Sequence, residues 1–268
     1  MRLDLHLVSA GLAETRQKAK YLIDEGAVYL DGKPCLKSSA EADGRTVEVR
    51  GEGLRYVSRG GLKLEGAIQA FSLDFSGVTA IDVGASTGGF TDCLLQHGAD
   101  KVYAVDSGSD QLHPKLRDDP RVISMENCNA RLLSPSLIPE PLSIAVMDVS
   151  FISQTLLYPP LRSVLREGAT LVSLIKPQFE AGRKDVGKGG IVKDAAVRER
   201  VLREVLAAAE KETFYCTGLT VSPIRGGDGN IEYIGCFRLG GAPVAICAEA
   251  IKRLVGGNAS SVDPSEKG

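Results

Sequence analysis

The sequence contains no tryptophan, only three histidines, and no pair of cysteines separated by two residues. Its cysteines are scattered along the chain, at Cys35, Cys93, Cys128, Cys216, Cys236 and Cys247. This pattern predicts reduced thiols and no bound metal, because structural metal sites need clustered Cys and His ligands. The sequence also lacks an apolar run of about 18 residues and a signal-peptide pattern, which argues against a membrane-spanning helix and predicts a cytoplasmic protein.

The chain has 32 Lys and Arg residues against 34 Asp and Glu, a formal net charge of -2. A nucleic-acid-binding surface must therefore be a local basic patch rather than the whole molecule. The length of 268 residues, with 43% hydrophobic and 25% charged residues, fits a soluble globular protein with a large domain and room for a small one. Collagen-like, disordered and disulfide-stapled classes are excluded.

The first 50 residues form a predicted small α+β domain. Residues 14–25 have the apolar periodicity of a helix that ends at Gly26, and short strands are predicted at 27–30, 34–37 and 46–50. Arg16, Lys18 and Lys20 lie on or beside this helix, and Arg16 and Lys20 share a face. Taken alone, these charges are typical of a solvated helix surface.

The segment 2–34 resembles the small RNA-binding module shared by a small-subunit ribosomal protein, pseudouridine synthases and other RNA-modifying enzymes. The resemblance covers the helix, the glycine that ends it and the strand and turn at 28–34. It implies that Arg16, Lys18 and Lys20 contact RNA phosphates, an interaction that releases counterions and depends on salt. Arg59 is a further expected RNA-binding residue.

The remaining chain is predicted to be a doubly wound, Rossmann-like α/β domain at 59–255, after a linker at 51–58. An amphipathic helix ends near Phe71, and from Val78 to Leu239 short apolar strands alternate with helices at 90–97, 154–165 and 195–210. That alternation indicates a mostly parallel sheet covered on both faces. The polar tail at 256–268 is predicted to be disordered.

An apolar strand at 80–83 leads into a glycine-rich turn that opens a helix. Backbone N–H groups converge at such a turn, and glycine lets a ligand approach the main chain. The candidate cofactor-binding residues of this stretch are Asp82, Gly84, Ala85, Ser86, Gly88, Gly89 and Phe90. Asp106 ends the next strand, where a carboxylate accepts hydrogen bonds from a ribose diol.

A nicotinamide dinucleotide and S-adenosyl-L-methionine both fit a strand, a glycine turn and an acid on the second strand. Dinucleotide sites use the spacing G-x-G-x-x-G, whereas Gly84, Gly88 and Gly89 give G-x-x-x-G-G. Asp82 would repel a diphosphate but suits an amino-acid ammonium. Both observations favour S-adenosylmethionine.

The ends of later strands narrow the choice of methyl acceptor. Asp148 is followed by Val149, Ser150 and Phe151, without the two prolines of enzymes that methylate base amines. A cysteine nucleophile for methylation of pyrimidine carbon is also missing near this strand. Lys176 follows the apolar strand at 170–175 and is expected to project into the crevice where such folds bind ligands.

Together, Lys63, Asp148, Lys176 and Glu232 resemble the Lys-Asp-Lys-Glu tetrad of FtsJ-type ribose 2′-O-methyltransferases. A ribose hydroxyl is a poor nucleophile, so catalysis needs orientation and proton removal. We expect Lys176 to take the proton, Lys63 to favour its neutral form, and the two acids to hold both amines. Taken singly, each member could instead form a surface salt bridge, which is the favoured interpretation of Lys63 or Glu232 alone, whereas the four together with the cofactor turn favour catalysis.

From residue 1 to about residue 239 the chain resembles the TlyA family, ribosomal RNA cytidine 2′-O-methyltransferases that are named as hemolysins. The resemblance rests on motifs at 56–64, 82–92, 148–153, 175–180 and 222–233. It implies ribosomal RNA or ribosomal subunits as the partner and a cytidine as the acceptor. A basic loop at 184–188 is either an RNA clamp or a plain mobile loop.

Two other functions fit the same resemblance less well. A membrane-active hemolysin would need an exposed, strongly amphipathic cationic segment. A non-catalytic RNA-binding protein would not need all four members of the tetrad.

Overall fold

The computed structural model describes residues 1–24, 27–35, 37–49, 55–227, 229–243, 246–257 and 261–262. The chain divides into two compact units, Met1–Arg59 and Gly60–Gly268. Gly26, the predicted helix stop, lies outside the described residues, as do residues 51–54 of the predicted linker.

The first unit contains two helices and a three-stranded antiparallel sheet of order β2-β1-β3. Its elements are α1 (Leu3–Ser9), α2 (Arg16–Asp24), β1 (Val28–Leu30), β2 (Lys33–Pro34) and β3 (Val47–Val49). Leu3 and Leu7, four residues apart on α1, are fully buried with Ile23 of α2. The edge strand β2 is shorter than the predicted 34–37, and its Pro34 has no N–H to donate to a ladder.

The second unit is an α/β domain. Its elements are α3 (Gly60–Phe71), β4 (Thr79–Val83), α4 (Gly89–Gln96), β5 (Lys101–Val105), α5 (Pro114–Arg117), β6 (Val122–Met125), β7 (Leu142–Met147), α6 (Tyr158–Val164), β8 (Leu165–Ile175), α7 (Pro177–Glu180), α8 (Ala195–Lys211), β9 (Phe214–Val221), β10 (Tyr233–Leu239), α9 (Ala248–Val255) and β11 (Ser261–Val262). Short 3-10 helices occur at Ala130–Leu132 and Gln154–Leu157.

The strands of this unit form one sheet of order β11-β9-β10-β8-β7-β4-β5-β6. Strands β8, β7, β4, β5 and β6 are parallel, and β10 is antiparallel to both β8 and β9. The predicted Rossmann-like α/β fold is confirmed.

The antiparallel strand β10 explains how a late acidic residue reaches the site. Tyr233, at the start of β10, pairs with Ile175, at the end of β8. Glu232 and Lys176 therefore emerge at the same edge of the sheet, although one precedes its strand and the other follows it.

Three local predictions need correction. The predicted helix at 154–165 begins as a 3-10 turn, and α6 starts at Tyr158 because Pro159 and Pro160 are tolerated only in a first turn. Helix α9 was not predicted. Ser261–Val262, predicted to be disordered, pairs with β9 and buries Val262, while residues 258–260 and 263–268 lie outside the described residues.

Candidate methyltransferase site

The glycine turn, residues 84–89, connects β4 to α4 and leaves no space for side chains at two positions. Gly84 has φ +85°, and a Cβ there would lie 2.6 Å from the carbonyl oxygen of Asp148. Gly88 has φ +95°, and its Cβ would lie 2.3 Å from Leu116 Cδ1. Glycine is required at both positions by conformation and by close packing. The turn is thereby held against the end of β7.

The other predicted residues of the turn have different environments. Ser86 is exposed and has a left-handed φ of +48°, a conformation that is costly for a residue with a side chain. Ala85, Gly89 and Phe90 are buried, and Gly89 is the first residue of α4. These three positions offer mainly backbone groups to a ligand.

Asp82 carries an unpaired oxygen at the base of the turn. Its Oδ2 accepts hydrogen bonds from the Thr91 N–H at 2.9 Å and the Thr91 hydroxyl at 2.7 Å. Its Oδ1 is buried without a hydrogen-bond partner among the described residues. Burial, more than the neighbouring Asp148 and Asp106 charges, raises the pKa of Asp82 to about 7. A cationic ammonium would supply the missing donor, so the site fits the amino-acid part of S-adenosylmethionine.

Asp106 follows β5 and holds the turn from the other side. Its Oδ2 accepts from the Ser86 N–H at 2.8 Å, and its Oδ1 accepts from the Gly108 N–H at 2.7 Å. Each carboxylate oxygen has a second acceptor site. Asp106 is half-buried and retains acceptor capacity for a ribose diol.

The structure brings together the four residues of the predicted tetrad. Lys63 Nζ lies 2.8 Å from Glu232 Oε2 and 3.7 Å from Asp148 Oδ2. Lys176 Nζ lies 2.5 Å from Asp148 Oδ1. Asp148 thus bridges the two amines, while its backbone carbonyl packs on Gly84 of the glycine turn.

The tetrad is largely shielded from solvent. The side chains of Lys63 and Lys176 are 11% and 10% exposed, that of Asp148 is 19% exposed and that of Glu232 only 2%. Buried charges are tolerated when they are paired, and each charge of the tetrad has an ion-pair partner of the opposite sign. The surface salt bridge that each residue alone would fit does not describe this arrangement.

Neighbouring residues that the sequence reasoning assigned no role complete the site. Ser150 Oγ accepts from Lys176 Nζ at 2.9 Å, and Lys176 Nζ lies 5.7 Å from the centre of the Phe179 ring. Gln178 Nε2 donates to Glu232 Oε1 at 3.1 Å. Ser150 follows β7, as Asp148 does, and Gln178 and Phe179 follow β8, as Lys176 does. Their position directly after these strands is the sequence signal that could have identified them.

Comparisons with known proteins follow the division of the chain. A family model described as FtsJ-like methyltransferase matches residues 56–239, and a model described as S4 domain matches residues 1–44. The chain belongs to the FtsJ-like methyltransferase family. The predicted methyltransferase class and the predicted cofactor S-adenosylmethionine are confirmed with it.

Similar proteins cover most of this FtsJ-like methyltransferase. A Bacillus subtilis protein provisionally designated an rRNA methyltransferase is 49% identical over 87% of this chain and 84% of its own. The TlyA 16S/23S rRNA (cytidine-2′-O)-methyltransferase of Mycobacterium tuberculosis is 43% identical over 87% of both chains. A Streptococcus thermophilus structure provisionally designated a hemolysin superposes with a TM-score of 0.78, at 44% identity, over 96% of this chain and 94% of that one. The predicted TlyA resemblance is confirmed.

Two of the four predicted RNA-binding residues, Arg16 and Lys20, are exposed. Arg16 Nε donates to Asp4 Oδ2 at 2.9 Å, yet the Arg16 side chain remains 52% exposed. Lys20 is exposed on the same helix, and Lys18 is half-buried. Arg59, at the end of this unit, is half-buried. Arg16 therefore has a structural contact in addition to its predicted contact with RNA.

The basic loop of this methyltransferase is attached at its base. Lys184 and Lys188 are exposed, whereas the loop after them is held by Asn230, whose Nδ2 donates to Gly190 O at 2.8 Å and whose Oδ1 accepts from Val192 N–H at 3.0 Å. The exposed lysines are compatible with the predicted RNA clamp, which remains a prediction.

None of the described helices is long and apolar enough to cross a membrane. Helix α9 is strongly amphipathic, but it buries Ala250, Ile251, Leu254 and Val255 inside the second unit. That apolar face is therefore not presented to a lipid surface.

Proposed function

We propose that this enzyme methylates the 2′-hydroxyl of a cytidine in ribosomal RNA, using S-adenosylmethionine. The observation that carries the proposal is the buried Lys63-Asp148-Lys176-Glu232 tetrad beside the glycine turn. Similarity to a methyltransferase named for 16S/23S rRNA cytidine-2′-O activity supports the substrate. The S4 domain supports RNA as the partner.

The tetrad supplies what a ribose hydroxyl lacks. When bound, S-adenosylmethionine supplies an activated methyl group on a sulfonium that leaves as a neutral thioether. Lys176, in its neutral form, accepts the hydroxyl proton as the oxygen forms its bond to the methyl carbon. Asp148 orients the Lys176 amine through their 2.5 Å contact, and Lys63 with Glu232 fixes Asp148 from the other side.

Phe151 is suited to hold the base of the target nucleotide. Its side chain is 93% exposed, and its ring centre lies 5.0 Å from that of Phe179 at an angle of 53°. RNA bases are commonly splayed out of their strand and stacked on aromatic rings for recognition. Phe151 lies three residues after Asp148, so a stacked base would bring its ribose near the tetrad.

The test is methyl transfer from labelled S-adenosylmethionine to purified small and large ribosomal subunits and to their naked RNAs. Nuclease digestion and mass spectrometry identify the methylated nucleoside. We expect 2′-O-methylcytidine, and we expect Lys176→Ala to reduce the rate about 100- to 10,000-fold, the usual range for loss of a general base.

Lys211→Ala is the matched control, because Lys211 is an exposed lysine at the end of α8, on a different element from every residue of the tetrad and of the glycine turn. Its activity should equal that of the wild type. Label in a base rather than a ribose, or full activity of Lys176→Ala, would contradict the proposal.

A further inference from the structure

A strained, exposed segment carries part of the site and needs an anchor. Residues 148–153 connect β7 to the 3-10 helix at Gln154–Leu157, and they include both Ser150 and Phe151. Phe151 has φ +63°, the left-handed conformation that non-glycine residues adopt only when their surroundings impose it. Because its side chain is almost fully exposed, packing of the ring alone is a weak constraint.

The anchor is the carboxylate of Glu180. Its Oε2 accepts a hydrogen bond from Ser153 Oγ at 2.6 Å, and its Oε1 accepts from the Gln154 N–H at 2.9 Å. Both oxygens thus hold the end of the strained segment. Hydrogen bonds to an ionised acceptor are stronger than neutral ones.

Glu180 is well placed to join the two sides of the site. It is the last residue of α7, which begins directly after Lys176 and includes Phe179. The Lys176 and Ser150 hydrogen bond, the contact of the two phenylalanine rings and the two bonds of Glu180 therefore all connect the same pair of segments.

A second network fixes the base of the segment from beneath. The buried Gln154 Oε1 accepts from the hydroxyls of Tyr158 and Ser173, the latter on β8. Gln154 thereby holds the 3-10 helix on the sheet. Its contacts lie beneath the segment, whereas the two bonds of Glu180 connect the segment to the helix that carries Phe179.

We propose that Glu180 is a positioning residue, which holds Phe151 and Ser150 in the geometry that receives the target nucleotide. This inference rests on the proposed function and adds a residue that acts through others. Glu180→Gln keeps the size of the side chain but removes the negative charge that strengthens both bonds, and it makes the Ser153 hydroxyl accept from the new amide instead of donating to a carboxylate.

The expected result is a selective loss in RNA handling. For Glu180→Gln we expect kcat/KM for the ribosomal substrate to fall at least about tenfold, while the Kd for S-adenosylhomocysteine stays within about twofold of the wild type. Glu204→Gln is the matched control, because Glu204 has an exposed contact with Arg200 at 3.2 Å. Glu204→Gln should leave both kcat/KM and the Kd for S-adenosylhomocysteine unchanged.

A double-mutant cycle separates positioning from general loss of structure. If Glu180 acts through Phe151, Glu180→Gln combined with Phe151→Ala should lose little more kcat/KM than Phe151→Ala alone. Multiplicative losses, or unchanged kcat/KM in Glu180→Gln, would overturn the proposal. If Glu180→Gln folds poorly, Ser153→Ala serves instead, because it removes one of the two hydrogen bonds of Glu180. It should lower kcat/KM for the ribosomal substrate by a smaller factor.

Hydrogen exchange gives a readout that needs no activity. Amides of residues 149–154 should exchange at least about tenfold faster in Glu180→Gln than in the wild type, with exchange in β4 and α4 unchanged. Equal exchange at 149–154 would refute the anchor even if ribosomal RNA proved to be the wrong substrate. An inactive wild type would instead count against the proposed function.

Discussion

Removing the ammonium of Lys63 should destabilise the second unit much more than loss of a comparable surface ion pair. Lys63→Met leaves the Glu232 carboxylate, 2% exposed, with only the Gln178 amide at 3.1 Å as a donor among the described residues. Breaking one side of a buried ion pair typically costs about 3–5 kcal/mol, because the remaining charge is desolvated without a partner. We expect a loss of that size in the free energy of unfolding.

The charge itself can be separated from the lost contacts. In Lys63→Met with Glu232→Gln, the buried carboxylate becomes a neutral amide, so the double variant should unfold within about 1–2 kcal/mol of the wild type. Methyl transfer should be lost in both variants. The surface control is Lys101→Met, which breaks a 2.7 Å pair with Glu140 whose side chains are 39% and 37% exposed, and which should cost about 1 kcal/mol or less.

Urea unfolding followed by circular dichroism measures these differences, because the chain has no tryptophan to report by fluorescence. The reasoning from burial would be refuted if Lys63→Met lowered the free energy of unfolding by less than about 1 kcal/mol. It would also be refuted if the loss in the double variant equalled the sum of the losses in the two single variants.

Other expected outcomes follow from the glycine turn and the S4 domain. Gly84→Ala should lower the free energy of unfolding by about 1–3 kcal/mol in thermal melts, because φ is +85° and the new Cβ would lie 2.6 Å from Asp148 O. Burial raises the pKa of Asp82 to about 7, so S-adenosylhomocysteine, whose ammonium favours the carboxylate, should release a proton on binding at about pH 6. Calorimetry in two buffers of different ionisation enthalpy measures that release, which should vanish in Asp82→Asn. Hydrogen bonding from Arg2 lowers the pKa of Asp4 from 3.8 to about 2. Asp4 should therefore add about 2 kcal/mol of stability above its unfolded pKa, lost as the pH falls through about 2, and Asp4→Asn should abolish that dependence.

The strand ends of the site could be predicted from sequence because their pattern is local. Asp82, Asp148 and Lys176 each end or follow an apolar run, and parallel strands bring such ends to one edge. Glu232 precedes its strand, and only the antiparallel register of Tyr233 with Ile175 places it there. Strand direction is not encoded in a period-two pattern.

The residues that connect segments could not be predicted for a related reason. Glu180 and Gln178 occur in a four-residue helix, and their partners Ser153 and Glu232 are 27 and 54 residues away in sequence. No helical or strand periodicity reports such pairs. Helix α9 is a different case, because its buried residues Ala250, Ile251, Leu254 and Val255 have helical spacing, so the sequence pattern was sufficient to predict it.

The charge balance of the tetrad links its stability to the proposed reaction. With both lysines protonated, two cations meet two carboxylates, and the buried group is electrically neutral. When Lys176 is neutral, the same group has a net negative charge beside the turn where a positively charged sulfonium would be bound. In the proposed reaction, a proton taken from the ribose hydroxyl by Lys176 would restore the neutrality of the tetrad, and the loss of the methyl group would leave the cofactor as an uncharged thioether. The negative charge of the tetrad and the positive charge of the sulfonium would therefore be neutralised in the same step. In a site with little water, opposite charges attract each other strongly, so their mutual neutralisation avoids the large cost of separating them.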